Sequence, residues 1–231
     1  INESDCNPPW DPETVASYEV GYKATLHDGA TTLSAAAFHY DYSDFQVAQV
    51  IGIVGVIANA GDATIDGFEL EVTSNVGDDW TLSAGLTLLD SAYGDFLNTD
   101  ALQGDAGVLQ NKGNPLNKAP EQSLNVGIVR NMTFDSGASL ALSLNTAYRS
   151  RTYFREFGQI DDSQAAYTVV NFNANFETAD ELFTTRFFVN NATNEAYITD
   201  LSTGDSQYGR HAAWGMPRHI GIELTRHFGT R

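Results

Sequence analysis

Hydrophobic and polar residues alternate with a period of two over most of the chain. Tyr18, Val20, Tyr22, Ala24 and Leu26 are separated by Glu19, Gly21, Lys23 and Thr25, which predicts a strand with one apolar and one polar face. The pattern returns at Phe68, Leu70 and Val72, at Trp80, Leu82, Ala84, Leu86 and Leu88, and at Leu124, Val126 and Ile128. It returns again at Leu140, Leu142 and Leu144, at Val170, Phe172, Ala174 and Phe176, over residues 182–190, and at Ile220, Ile222 and Leu224. The strand expected from near Thr31 to about Gln49 changes parity halfway. Leu33, Ala35 and Ala37 share one face, and Phe38, Tyr40 and Tyr42 the other. A bulge accounts for the change, and so do large aromatics pointing into a packed interior. Residues 50–58 are apolar and are expected to extend this hairpin.

About nine long strands result, and their connections alternate in length. Short turns fall near residues 28, 77, 134 and 179, and longer segments near 54, 105, 157 and 204. A soluble sandwich has little reason to gather its short turns at one end. A transmembrane β-barrel does so, with short turns on the periplasmic side and long loops outside. Asn, Thr, Ser, Glu and Gly dominate the polar face, which suits a wide barrel with a watery or plugged interior. Tyr18, Trp80, Tyr148 and Phe228 stand near strand ends, where an aromatic girdle belongs. The pattern therefore predicts an all-β, antiparallel transmembrane β-barrel, with a soluble all-β domain as the alternative. No apolar run is long enough for a membrane-spanning helix, which has no bearing on a barrel.

The net charge of -18, from 30 acidic and 12 basic residues, repels a phosphate backbone and excludes nucleic acid as a partner. Cys6 is the single cysteine, so it has no disulfide partner within these residues. There is no nucleophile motif, phosphate loop or zinc spacing, and no enzyme activity, metal or cofactor is expected. His39 and Asp41 share a strand face, a two-residue spacing common by chance. Asp90, Asp95, Asp100 and Asp105 recur in a long aperiodic segment and are expected to be solvated. The best recognition candidate is the segment holding Arg149, Arg151, Tyr153, Phe154, Arg155 and Phe157. Its cations and aromatics suit an anionic chelate or a carboxylated ligand. The alternative is that the arginines touch lipopolysaccharide phosphates or pair with nearby acids.

Several segments, in order, resemble the C-terminal barrel portion of the TonB-dependent outer-membrane receptors. They are Pro12-Glu13-Thr14 with Ser17-Tyr18-Glu19, Gly21 and Lys23; the strand from Leu33 to Gln46; and Asn59-Ala60-Gly61 with Gly67, Glu69 and Glu71. Pro120 precedes a strand, as is common in that family. Asn190-Asn191-Ala192-Thr193-Asn194 with Tyr197 is similar to a family motif in which Leu stands at the position of Asn191. Pro217-Arg218 with Gly221 is similar to the closing strand. The resemblance implies a 22-stranded barrel around an N-terminal plug, of which residues 1–231 hold about the last nine strands, without plug or first strands. It implies energised import of a scarce nutrient, most often a ferric chelate, in the bacterial outer membrane. A passive porin and a soluble carbohydrate-binding or adhesive domain are the alternatives. The implied partners are membrane lipid and lipopolysaccharide, the plug, a periplasmic TonB-type energy-coupling protein, the barrel-assembly machinery and a small-molecule ligand. Phe228 stands for the terminal aromatic that the assembly machinery reads, although three residues follow it. The unpartnered Cys6 and the abrupt start lead to the expectation that the chain is part of a longer one.

Overall fold

The computed structural model describes residues 10–51, 54–59, 61–100, 102–103, 107–203 and 209–228. The expectations about Cys6, Gly104, Asp105 and the residues after Phe228 lie outside them. In chain order the strands are β1 (Thr14–Leu26), β2 (Thr31–Ser43), β3 (Gln46–Ile51), β4 (Val54–Asn59), β5 (Ala63–Val76), β6 (Trp80–Tyr93), β7 (Leu97–Thr99), β8 (Val108–Gln110) and β9 (Gln122–Thr133). They continue as β10 (Ser139–Arg149), β11 (Thr152–Tyr153), β12 (Ser163–Gln164), β13 (Tyr167–Glu177), β14 (Phe183–Asn190), β15 (Ile198–Thr203), β16 (Arg210–Trp214) and β17 (His219–Arg226). Nine of them form one antiparallel sheet in the order β1-β2-β5-β6-β9-β10-β13-β14-β17. The others pair as four hairpins, β3-β4, β7-β8, β11-β12 and β15-β16, and each hairpin sits in one of the long connections. All four tight turns (27–30, 77–79, 134–138 and 178–182) therefore lie at one end of the sheet. The sheet does not close on itself, and β1 and β17 are its edges.

The register turns the period-two pattern into two continuous faces. Leu82, Ile128, Leu144, Phe172, Val189 and Ile220 are successive partners across six strands. On the other face Thr25, Thr32, Thr73, Ser83, Gly127, Asn145 and Asn171 are successive partners across seven. A one-residue slip in any strand would exchange its faces, so the two rows fix the register together. Within the nine strands, the apolar face carries acidic or basic side chains at two levels only. Asp41, Asp66 and Asp90, with His39, lie toward the long connections, and Arg130 and Arg226 lie toward the tight turns. Between those levels the face is free of charge. Along β6 the interval runs from Trp80 to Asp90, about 33 Å of strand at ~3.3 Å per residue. Tilted by roughly 40°, such a strand covers about 25 Å, the height of the apolar band of a membrane barrel.

The parity change in β2 is not a bulge, because its pairing with β1 and with β5 runs without a shift. Phe38, Tyr40 and Tyr42 lie on the polar face of the same regular strand. Gly67 admits the Phe38 ring: a Cβ on Gly67 would lie well inside contact distance of it. Phe188 uses Gly221 in the same way from β14 to β17. Both pairs set an aromatic over a cross-strand glycine, which fills the gap and holds the register. At Gly21 a Cβ would meet only an ordinary contact, so nothing in its surroundings requires glycine.

Two boundaries differ from expectation. β2 ends at Ser43, not near Gln49, because Asp44 takes a positive φ of 57° and turns the chain out of the sheet. β3 and β4 then pair as a separate hairpin instead of lengthening the β2 hairpin. Leu142 lies directly opposite Arg130, at the margin of the charge-free band, so Leu86 is the better probe of its middle. In lipid vesicles Leu86→Arg is expected to destabilise folding by roughly 2–4 kcal/mol, and Thr87→Arg, on the polar face, by much less. Equal losses in reversible unfolding would refute the assignment of faces.

Candidate functional site

The long connections meet beyond one end of the sheet and are held together by side chains. At the end of β2, β5 and β6, Ala63, Tyr93 and Phe96 form a small buried cluster, with Tyr42, Phe45, Val47 and Leu116 against it. The rings meet edge-on or tilted, Phe45–Tyr93 at 6.1 Å and Tyr93–Phe96 at 5.6 Å between centroids. Asn59 ties the β3-β4 hairpin to the N-terminal segment. Its amide donates to the carbonyls of Asp11 and Asp44 at 2.9 and 2.6 Å and accepts from the Asp11 backbone N–H at 2.8 Å.

Three connections, 94–121, 150–166 and 191–218, share a buried ionic cluster. The Arg155 guanidinium donates to Asp100 at 2.5 Å and to Asp162 at 2.7 Å. The Arg210 Nε donates to the other oxygen of Asp162 at 2.5 Å. Both aspartate side chains are fully buried, and Arg155 is nearly so. Two guanidinium groups face two carboxylates, so the cluster is neutral, the condition under which charges persist out of water. Burial pushes the Asp100 carboxyl up, but hydrogen bonds from Arg155 and the Leu102 amide, the Arg155 charge and Gln103 outweigh it and hold the group below its ordinary value. The Arg155 guanidinium also lies 4.5 Å over the Phe157 ring. Around the cluster, Asn98 donates to the Glu156 carboxylate and Asn114 to the Glu156 carbonyl. Lys118 N–H donates to the Tyr153 carbonyl, and the Ile198 N–H to the Gln164 side chain.

The connection 191–218 has its own clasp. Asn191 is buried at a φ of 49°. Its side chain donates to the carbonyls of Glu195 and Met216 at 2.8 and 3.0 Å and accepts from the Glu195 N–H at 2.8 Å. One residue thus binds both ends of a 28-residue connection. Asn194 also joins the ends, accepting from the Arg218 N–H at 3.0 Å. Tyr197 stacks on Tyr167 at 4.5 Å. Leucine has neither the donors nor the tolerance of positive φ that position 191 uses, which accounts for the departure from the family motif there.

The six sequence-predicted recognition residues are brought to one region but not to one surface. Phe154, Arg155 and Phe157 are buried, and Arg155 pairs with acids, the second of the two alternatives set out for the arginines. Arg151 donates to the Ser163 hydroxyl at 2.8 Å, half-buried. Arg149 is exposed at the end of β10, on the polar face, where it reaches Ser123 at 3.5 Å. With Phe154, Lys118, Gln164 and Tyr167 it lines a cleft of about 180 Å³. Tyr153 is half-buried in β11. Phe228 is exposed, with Arg226 4.8 Å over its ring. His39 meets Asp41 at 3.1 Å, and also Asp66 at 2.8 Å, a partner not foreseen. Among the described residues no group of His, Cys, Asp or Glu is arranged to hold a metal ion. Asp100 is buried and paired, a correction to its expected solvation, while Asp95 is exposed and pairs with Lys112 at 2.7 Å. Sequence reasoning missed Asp162, Arg210 and Asn191, since their partners are distant in the chain.

Residues 6–192 match the family described as TonB dependent receptor-like, beta-barrel. Over 81 residues the chain is 37% identical to a probable TonB-dependent siderophore receptor, PiuA, of Acinetobacter baumannii, a match covering 35% of this chain and 10% of that protein. The crystal structure of that siderophore receptor superposes with a TM-score of 0.75 at 20% identity, over 95% of this chain and 29% of that one. The ferric yersiniabactin uptake receptor FyuA of Yersinia pestis superposes with a TM-score of 0.74 at 20% identity, over 92% and 29%. The chain thus spans under a third of the length of these solved structures.

Asp162 is the one side chain that bonds to both arginines of the ionic cluster. Asp162→Asn leaves Arg155 without half of its countercharge in a buried site, which costs about 3 kcal/mol, or roughly a hundredfold in the local opening equilibrium; Arg210, partly exposed, contributes less. Hydrogen exchange is expected to quicken in β7-β8, β11-β12 and β15-β16, with β9 and β10 unchanged. Unaltered protection of all three hairpins would show that the cluster does not hold them.

Proposed function

This chain belongs to the TonB-dependent receptor-like β-barrel family and localises to the outer membrane, and from that premise we propose that it forms the closing wall and four outer loops of a receptor for energised uptake of a ferric chelate of the siderophore kind. The observation that carries the reading is the two-faced sheet: a charge-free apolar band of membrane height on one side and a row of Thr, Ser, Gly and Asn across seven strands on the other. The first side suits hydrocarbon, and the second suits a wide lumen that holds water or a folded plug. Such a protein transports its ligand and performs no chemistry on it.

In this reading the nine-stranded sheet is the last part of a 22-stranded barrel. The free edges of β1 and β17 accept strands from the rest of the same protein, because an unpaired ladder is not tolerated in a bilayer. The polar face meets an N-terminal plug, through which a periplasmic TonB-type protein acts. Phe228, next to the tight-turn end, is the aromatic presented to the barrel-assembly machinery. Ligand contact falls to Arg149, which lines the cleft, and to Arg151 and Tyr153, which retain accessible surface nearby in the chain. Phe154, Arg155 and Phe157 hold the loop that carries them. The similar proteins are a siderophore receptor and a ferric yersiniabactin uptake receptor, which favours an anionic iron complex as ligand, and a guanidinium suits such a complex.

Two measurements test this. Cysteine labelling of intact cells is expected to modify Ile160→Cys, on an outer loop, and not Asp78→Cys, in a tight turn. Strong surface labelling at position 78 would invert the topology. Uptake of ferric chelates by cells carrying the full-length receptor is expected to stop when the energy-coupling protein is removed, and Arg149→Gln with Arg151→Gln to weaken binding at least tenfold, about 1.4 kcal/mol. Uptake that persists without energy coupling would make the protein a passive pore.

A further inference from the structure

The two cations of the apolar face, Arg130 and Arg226, occupy equivalent places. Arg130 lies on β9 opposite Trp80, the first residue after a tight turn, with its guanidinium 5.1 Å over the indole ring. Arg226 ends β17 opposite Phe183, again the first strand residue after a tight turn, with its guanidinium 5.7 Å over that ring and 4.8 Å over Phe228. Both arginines are exposed. Neither forms an ion pair with another described residue, although Asp78, Asp79, Asp135 and Asp180 lie in the adjoining turns. Lys23, Arg149, Arg151 and Arg218 likewise form no ion pair with a described residue, so what sets Arg130 and Arg226 apart is their place on the apolar face, each over an aromatic ring. Every carboxylate on that face lies at the opposite end.

We propose that Arg130 with Trp80, and Arg226 with Phe183 and Phe228, are binding sites for the phosphate of anionic phospholipid headgroups in the inner leaflet of the outer membrane. This rests on the membrane reading above and adds a ligand to it. The aromatic faces seat at the headgroup level and pin each guanidinium there by cation–π contact. The planar fork then has its donors free, and it matches a phosphate diester in shape and charge. The complementary sign at the other margin, Asp41, Asp66 and Asp90, leaves these sites to one leaflet. The adjoining acidic turns project beyond the girdle into the periplasm, away from the headgroups.

The test uses the full-length receptor in phosphatidylcholine vesicles containing about one-third phosphatidylglycerol, with either lipid brominated in its chains. The Trp80 emission is taken as the difference from a Trp80→Phe protein. An arginine at an anionic surface favours the charged lipid by about fivefold, so brominated phosphatidylglycerol is expected to quench Trp80 well beyond its share of the bilayer. Arg130→Gln should remove the excess, and Arg130→Lys should keep most of it. A Phe183→Trp reporter should respond in the same way to Arg226→Gln. Quenching in proportion to bulk composition, unchanged by Arg130→Gln, would overturn the lipid sites while leaving the membrane reading intact. A Trp80 quenched by neither lipid would overturn both, because the apolar face would then not meet the bilayer.

Discussion

The structure depends on one requirement, that each long strand hand its backbone N–H and C=O groups to the neighbour on either side. Inside a bilayer no water substitutes for a missing ladder partner. The meander β1-β2-β5-β6-β9-β10-β13-β14-β17 meets the requirement at its seven inner strands and leaves it open at two edges. Because the ladder does the holding, side chains are released from building a common core. Among the described residues the buried apolar groups are few and sit mainly beyond the end of the sheet, around Tyr93 and Phe96 and around Phe154 and Phe157. Alternate positions can then serve two media at once. This is also why a chain with a mean hydropathy of -0.26 can present a largely apolar, charge-free band, since only every second strand residue contributes to it.

Polar groups find two different solutions. On the polar face, Thr, Ser and Asn stand in rows and need no fixed protein partner where solvent reaches them. Beyond the sheet, Asp100, Asp162, Asn111 and Asn191 are almost wholly enclosed and survive there because each has its bonds supplied by protein. Among the described residues no buried side-chain nitrogen or oxygen lacks a partner. Long connections without much apolar content are thus ordered by complete hydrogen bonding instead of by a core.

The sheet was legible because its signal is local. Trp80 to Leu88 declares its faces within nine residues, and the tight turns at 77–79 and 178–182 carry Gly, Asp and Thr where they are needed. The parity change at Phe38 was visible, but its cause was not, since the answer lies 29 residues away in Gly67. The cluster of Asp100, Arg155, Asp162 and Arg210 was illegible for the same reason. Charges 55 and 48 residues apart leave no period or motif, and an aspartate in an acidic loop looks solvated until its partner is placed. The recognition segment could not be sorted from sequence, because a run of arginines and aromatics reads the same whether a side chain points inward to pair or outward to bind. Asn191 is the instructive departure. It looks like a broken motif in one dimension, and it is the knot of a long loop in three.

The ionic cluster has a consequence for how this surface can change over generations. Exposed connections tolerate substitution better than the packed elements beneath them, so variation is expected to collect where their side chains project. Here three loops draw on one set of four charges, and a change of sign at any of the four leaves a buried charge without its counterpart. Single substitutions are therefore tolerated at projecting sites such as Val108 and Ile160 and not at the hub, where a change needs a second, compensating one on a different loop. The tips of these connections can vary while the arrangement beneath them stays locked as a unit.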